Sequence, residues 1–82
     1  MNLENFFSGL DNLFARNDFA AVEDYLARHL EAGRDCGNSG YQLAVLNEQA
    51  GYYRNRSRFA QSFAACEQAM AIISAPEFSD PV

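Results

Sequence analysis

One histidine, two cysteines and a bunched set of arginines are the residues of this chain whose types lend themselves to chemistry. A catalytic imidazole needs a nucleophile or a carboxylate within hydrogen-bond reach, and no serine, cysteine or acid stands at a recognisable spacing from His29. Its place near the end of an amphipathic segment predicts a packing or capping role. Cys36 and Cys66 do not form a CxxC pair, and a single distant histidine leaves a tetrahedral zinc site without a fourth ligand. Both are read as free thiols, Cys66 as a small core residue and Cys36 as a loop residue. The acidic residues are scattered with no acid–base couple among them, and Gly51 stands outside any phosphate-binding loop. No enzymatic activity, cofactor or metal is expected.

The bulk charge narrows the partners. Eleven acidic against six basic residues give a net charge of −5, which repels nucleic acid and anionic lipid over the surface as a whole. All six basic residues are arginines, and Arg54, Arg56 and Arg58 gather at one helix end, where cations complement the negative end of the helix dipole. The opening MNLENFFSGLDNLF has no basic region and carries Glu4 and Asp11 among its apolar residues, so no secretory signal is expected there. No apolar run approaches the roughly 20 residues that span a bilayer. The expected compartment is the cytoplasm. A hydrophobic fraction of 49% is too high for a disordered chain, so these residues must pack against something.

The apolar periodicity is helical throughout, predicting an all-α fold of four helices. Leu3, Phe6, Phe7, Leu10, Leu13 and Phe14 give a first helix, and Phe19, Val22, Leu26 and Leu30 a second. Between them Arg16-Asn17-Asp18 reads as a tight turn, with Asn17 left-handed and Asp18 capping the second helix. Residues 32–40, AGRDCGNSG, read as a Gly-rich loop. Ser39 and Gln42 fit a capping box, which starts the third helix near Gly40 or Tyr41. Its buried side is assigned to Leu43, Leu46, Ala50 and Tyr53. Phe59, Phe63, Cys66, Met70 and Ile73, at spacings of four, three, four and three, form the clearest stripe in the chain and predict the buried face of a fourth helix. The organisation expected is one domain: hairpin 3–32, Gly-rich loop 33–40, hairpin 41–74 and an irregular tail 75–82.

The two hairpins resemble each other, since Asn17-Asp18-Phe19 lies over Ser57-Arg58-Phe59 at an offset of 40 residues. Residues 45–73, VLNEQAGYYRNRSRFAQSFAACEQAMAII, resemble the tetratricopeptide repeat (TPR) family, and the 40-residue offset comes close to that family's period of about 34 residues once the Gly-rich loop is treated as an insertion. Leu46 falls at the motif's first large apolar position, Ala50-Gly51 at its small pair and Tyr53 at its first-helix aromatic. Phe59, Ser62 and Ala69-Met70 match its second helix, while Gln49 and Ser57 depart from it. The first hairpin is a degenerate copy in which His29 replaces a small residue. The resemblance implies a right-handed α-solenoid fragment of two antiparallel hairpins, with the small pair Ala50-Gly51 letting the two helices of a repeat approach closely and a concave groove for a peptide or helix of a protein partner. Carried over by position, the groove residues are Asn47, Glu48, Gly51, Arg54 and Asn55.

The expected function is therefore non-enzymatic protein binding, or stacking onto further repeats as the N-terminal part of a longer repeat protein. The alternative is a homodimeric bundle joined through the apolar first and fourth helices, with Phe7, Leu10 and Phe14 as self-association residues. A helix-turn-helix nucleic-acid binder is a weaker third reading, opposed by the acidity.

Overall fold

A computed structural model describes residues 2–74, which form α1 (Leu3–Ala15), α2 (Phe19–Asp35), α3 (Ser39–Asn55) and α4 (Phe59–Ile73). The all-α reading holds, and the irregular tail expected from residue 75 lies outside the described residues. Each helix packs on the next in the chain, and α1 and α4 form no packed pair. The result is an open stack of 43 × 28 × 18 Å.

Three joints of identical design build this stack. Asn17, Gly37 and Ser57, twenty residues apart, all take left-handed backbone, with φ of 55°, 65° and 61°. In each joint this residue's N–H donates back to the carbonyl three residues earlier: Asn17 to Phe14, Gly37 to Arg34, Ser57 to Arg54. The following N–H donates to a carbonyl five residues back, Asp18 to Leu13, Asn38 to Gly33 and Arg58 to Tyr53. That pair of bonds is the Schellman closure of a helix C-terminus. Asp18 and Asn38 then cap the next helix, accepting from the N–H groups of Ala21 and Tyr41. Arg58 has no side chain able to do so.

The Gly-rich loop expected over residues 33–40 shrinks accordingly to Cys36, Gly37 and Asn38. Gly33 lies inside α2, buried, and Gly40 lies inside α3. The N-cap is Asn38, with Ser39 the first helical residue, so the anticipated Ser39–Gln42 capping box does not form at that register. No insertion separates the hairpins: the 40-residue offset is two equal helix-plus-joint units.

The core is built from Phe6 and Leu10 of α1, Val22, Leu26 and Leu30 of α2, Tyr41, Val45, Leu46 and Tyr52 of α3, and Ala65 of α4. Leu10, expected at a self-association face, is 2% exposed and belongs to this core, where it cannot meet a second chain. α3 is sandwiched between α2 and α4 and buries two sides, which is why Val45 and Tyr52 join Leu46 in the interior. Close approach of helices occurs at Gly9 and Gly33. A Cβ on Gly9 would overlap the Tyr25 hydroxyl, itself donating to the Phe6 carbonyl at 2.8 Å. A Cβ on Gly33 would stand 3.0 Å from Gln42 Cγ and 3.4 Å from the Tyr41 ring. At Gly51, assigned by the sequence to close packing, the same test meets nothing within 4 Å. The small-residue contact between α3 and α4 is made one residue earlier, where Ser62 Oγ donates to the Ala50 carbonyl at 2.9 Å.

His29 belongs to an aromatic cluster joining the first three helices. Its ring centroid lies 4.2 Å from that of Tyr25 and 5.1 Å from that of Phe6, and Nδ1 shares a 2.6 Å hydrogen bond with the Tyr41 hydroxyl. Burial lowers its pKa below the ordinary 6.5, because an imidazolium there loses hydration. This is the packing role its sequence position implied.

Two outcomes follow. At Gly33 the helix-propensity gain of Ala is set against the tight contact with Gln42 and Tyr41, so Gly33→Ala should come out about 1–3 kcal/mol less stable than Gly51→Ala, which should stabilise the fold by about 1 kcal/mol, and urea unfolding reads both. With His29 the only histidine and its folded pKa depressed, the unfolded chain takes up the proton first as the solution is acidified. Stability should be full above pH 6.5 and fall as the pH drops below that value, and His29→Gln should flatten the change between pH 7.5 and 5.5.

Candidate functional site

A concavity of ≈ 490 Å³ opens where the end of α1, the start of α2 and the C-terminal half of α3 meet. Phe14, Phe19 and Tyr52 line its apolar side, with ring centroids of Phe14 and Phe19 at 6.2 and 6.5 Å from that of Tyr52. Phe14 and Phe19 flank the first joint, so the left-handed turn at Asn17 is what brings them to one place. Gly51 supplies the opening, because a side chain there would point into free space. Glu48 and Asn55 stand three residues before and four after Gly51, on the same face of α3.

Tyr52 is the fixed part of this wall. It is buried, and its hydroxyl donates to Glu23 Oε2 at 2.8 Å, with the Phe19 carbonyl at 3.4 Å. Arg58 Nη1 donates to the same Glu23 oxygen at 2.8 Å, so one carboxylate of α2 holds both α3 and the joint that follows it. Burial first, and the hydrogen bond and charge of Glu23 second, push the Tyr52 hydroxyl up to about 12, against the opposing pull of Arg56 and Arg58. Arg56 lies over the rings, its guanidinium carbon 4.3 Å from the Phe19 centroid and 5.8 Å from that of Tyr52. Among the described residues it makes no ion pair, so its donors face outward from an aromatic platform.

Three of the groove residues named from the sequence, Glu48, Gly51 and Asn55, line this concavity together with Phe14. Asn47 lines a different one, of ≈ 410 Å³, between α3 and α4 with Leu43, Leu46, Ala50, Cys66 and Ile73. Arg54 is exposed and lines neither. The reason is angular: Asn47 and Arg54 are seven residues apart and share one line along α3, rotated from the line of Glu48 and Asn55. Phe19, Tyr52 and Arg56 were not assigned to the groove from the sequence. Tyr52 follows Val45 by seven residues, a spacing that names it once α3 is known to bury two faces.

The self-association residues separate likewise. Phe7 and Phe14 are 38% and 37% exposed, at the edge of the core, while Leu10 is inside it. Cys66, assigned to the core, is exposed, and Cys36 is exposed in the second joint as expected. The α4 stripe is the largest correction. Phe59, Phe63, Cys66, Met70 and Ile73 all face outward, Phe63 and Met70 at 68% and 66% exposure. The buried side of α4 is Ser62 and Ala65, with Ala69 and Ile72 half-buried. Each of these precedes a stripe residue by one, about 100° around the helix. Small side chains win the contact because they let α4 approach the α3 backbone, as the Ser62–Ala50 bond requires.

Among the described residues no group of three His, Cys, Asp or Glu side chains is placed to hold a metal ion, and no helix is long and apolar enough to cross a membrane. The concavity offers an aromatic wall, one outward guanidinium and one carboxylate, a set suited to holding a side chain. No family model, no characterised protein and no solved structure matches this chain.

Tyr52→Phe keeps the ring and deletes the hydroxyl. It should cost about 1 kcal/mol in urea unfolding at neutral pH. Because the raised pKa stabilises the fold below pH 10 and is lost as the pH climbs towards 12, the wild type should lose stability over that range more steeply than the variant.

Proposed function

We propose that this chain is a non-enzymatic protein-interaction module, a TPR-like pair of helical hairpins whose concave site takes a peptide or helix from a protein partner. The observation that carries this reading is the concavity at Gly51, where a helix-interior glycine with no close neighbour leaves room against Phe14, Phe19 and Tyr52. Gly in such a position costs about 1 kcal/mol relative to Ala, and no packing contact among the described residues offsets it. An opening for a ligand side chain does. Sequential packing of helices through equal joints supports a right-handed α-solenoid arrangement.

The chemistry of the site specifies the ligand. An apolar or aromatic side chain seats over Gly51, and an acidic residue beside it meets the Arg56 guanidinium, while Glu48 disfavours a second acid on the opposite rim. The protein's net charge of −5 makes a nucleic-acid ligand a poorer fit.

Selection of a displayed random peptide library on the purified protein tests this. Enriched peptides should pair an apolar residue with a nearby Asp or Glu, and lose binding at least roughly tenfold, about 1.4 kcal/mol, with Arg56→Glu. Gly51→Leu, which fills the opening, should abolish binding with helicity unchanged. An absence of enrichment, or peptides indifferent to both substitutions, would sink the proposal.

A further inference from the structure

The α4 stripe lies outside the concave site, and it continues into the second concavity, where Cys66 and Ile73 form one wall and Leu43, Leu46 and Ala50 the other. Together they make a helix-sized apolar seat on the last described element. We propose that this seat is filled by α4 of a second copy of the chain, in an antiparallel two-fold arrangement that covers both stripes at once.

The internal repeat shows what such a seat is for. Helix α3 occupies the corresponding seat forty residues earlier, against Phe6 and Leu10 of α1 and Leu26, His29 and Gly33 of α2. Shifted by forty, those positions are Leu46, Ala50, Cys66, Ala69 and Ile73. One of them differs in consequence: Ile73 stands where Gly33 admits Tyr41 and Gln42 at contact distance. The seat on α4 therefore refuses a helix as close as α3 and accepts one held off by side chains of Phe and Met size. Those are the residues that α4 itself presents.

Symmetry selects a second copy's α4 over its α1. Head-to-tail stacking would set α1 of another copy in the seat as α3 sits in its own, yet at the positions of Val45 and Tyr52 α1 carries exposed Asn5 and Asn12. The stripe on α4 is self-complementary: Phe59 and Ile73 lie seven residues either side of Cys66, with Phe63 and Met70 between, the spacing of a coiled-coil seam. A two-fold axis near Cys66 pairs this seam with itself and closes the assembly at two. Charge permits it. In an acidic protein like faces repel, but Glu67 is the only charged residue of α4. A 15-residue helix is about 22 Å long, and with the α3 edge the face it offers is on the order of 1,000 Å² in total, the lower end of the range for specific association.

Sedimentation velocity from about 1 to 300 µM tests this, with the outward-facing pair Phe63→Glu and Met70→Glu made together and Phe7→Ser, Phe14→Ser as the control. The expected result is a monomer–dimer equilibrium in the wild type and control, and a dissociation constant raised more than about a hundredfold in the α4 variant, its helicity retained. In a Cys36→Ser background, a short bis-maleimide should then link two chains through Cys66. A wild type that stays monomeric to 300 µM, a dimer untouched by the α4 variant, or one lost in the Phe7, Phe14 control overturns the proposal. So does a monomer whose α4 face instead binds an added amphipathic helical peptide. Peptide binding at Gly51 lies on another face and survives or fails independently of this result.

Discussion

The left-handed joint is the constraint on which the rest of this structure depends. A three-residue connection closed by two backbone bonds leaves the next helix one direction to take, back along the one before it. Repeating the joint every twenty residues makes each helix contact its sequence neighbours and turns the chain into a stack. The joints satisfy the C-terminal carbonyls without using side chains, so the flanking residues remain free for other work. Phe14 and Phe19 form part of the concave site for that reason, and Asp18 and Asn38 cap the following helices. Ser57 is the costliest version, a residue with a Cβ held at positive φ. It is kept in place by its neighbours, Arg56 over Phe19 and Arg58 on Glu23.

Polar groups register the helices that the joints have set side by side. The Tyr41 hydroxyl meets His29, the Tyr25 hydroxyl meets the Phe6 carbonyl, and Glu23 receives both Tyr52 and Arg58. Each is a hydrogen bond from an aromatic or cationic side chain reaching across to a different helix. An aliphatic core alone tolerates sliding, whereas a half-buried hydroxyl has one position at which its bond is made. No buried side-chain nitrogen or oxygen among the described residues lacks a partner. The same bonds hold the Tyr52 ring in the wall of the concavity.

The two ends of the stack differ in chemistry. Helix α1 turns Asn5, Asp11 and Asn12 outward and keeps Phe6 and Leu10 inside, while α4 turns Phe63 and Met70 outward and keeps Ser62 and Ala65 inside. The outer side of α1 mixes these polar groups with the partly exposed Leu3, Phe7 and Phe14, and the last described helix carries its large apolar residues on the side that no other described helix covers.

Helix content, the four segments, the left-handed Asn17 and the capping Asp18 were legible in the sequence, because each depends on residues within one or two turns of each other. Phe6, Leu26 and Leu46 were legible as core for the same local reason, their periodicity. What the sequence did not determine was which of two apolar stripes on α4 faces inward, which glycine marks a close approach, and that residues 33–40 are mostly helix. Those depend on distances between helices. A side chain at Gly33 would crowd Gln42 and Tyr41, one at Gly51 would meet none of the described residues, and α4 buries its small residues because the Ala50 carbonyl lies within reach of Ser62. Periodicity says that a face is apolar, and only the neighbouring backbone decides whether that face is covered.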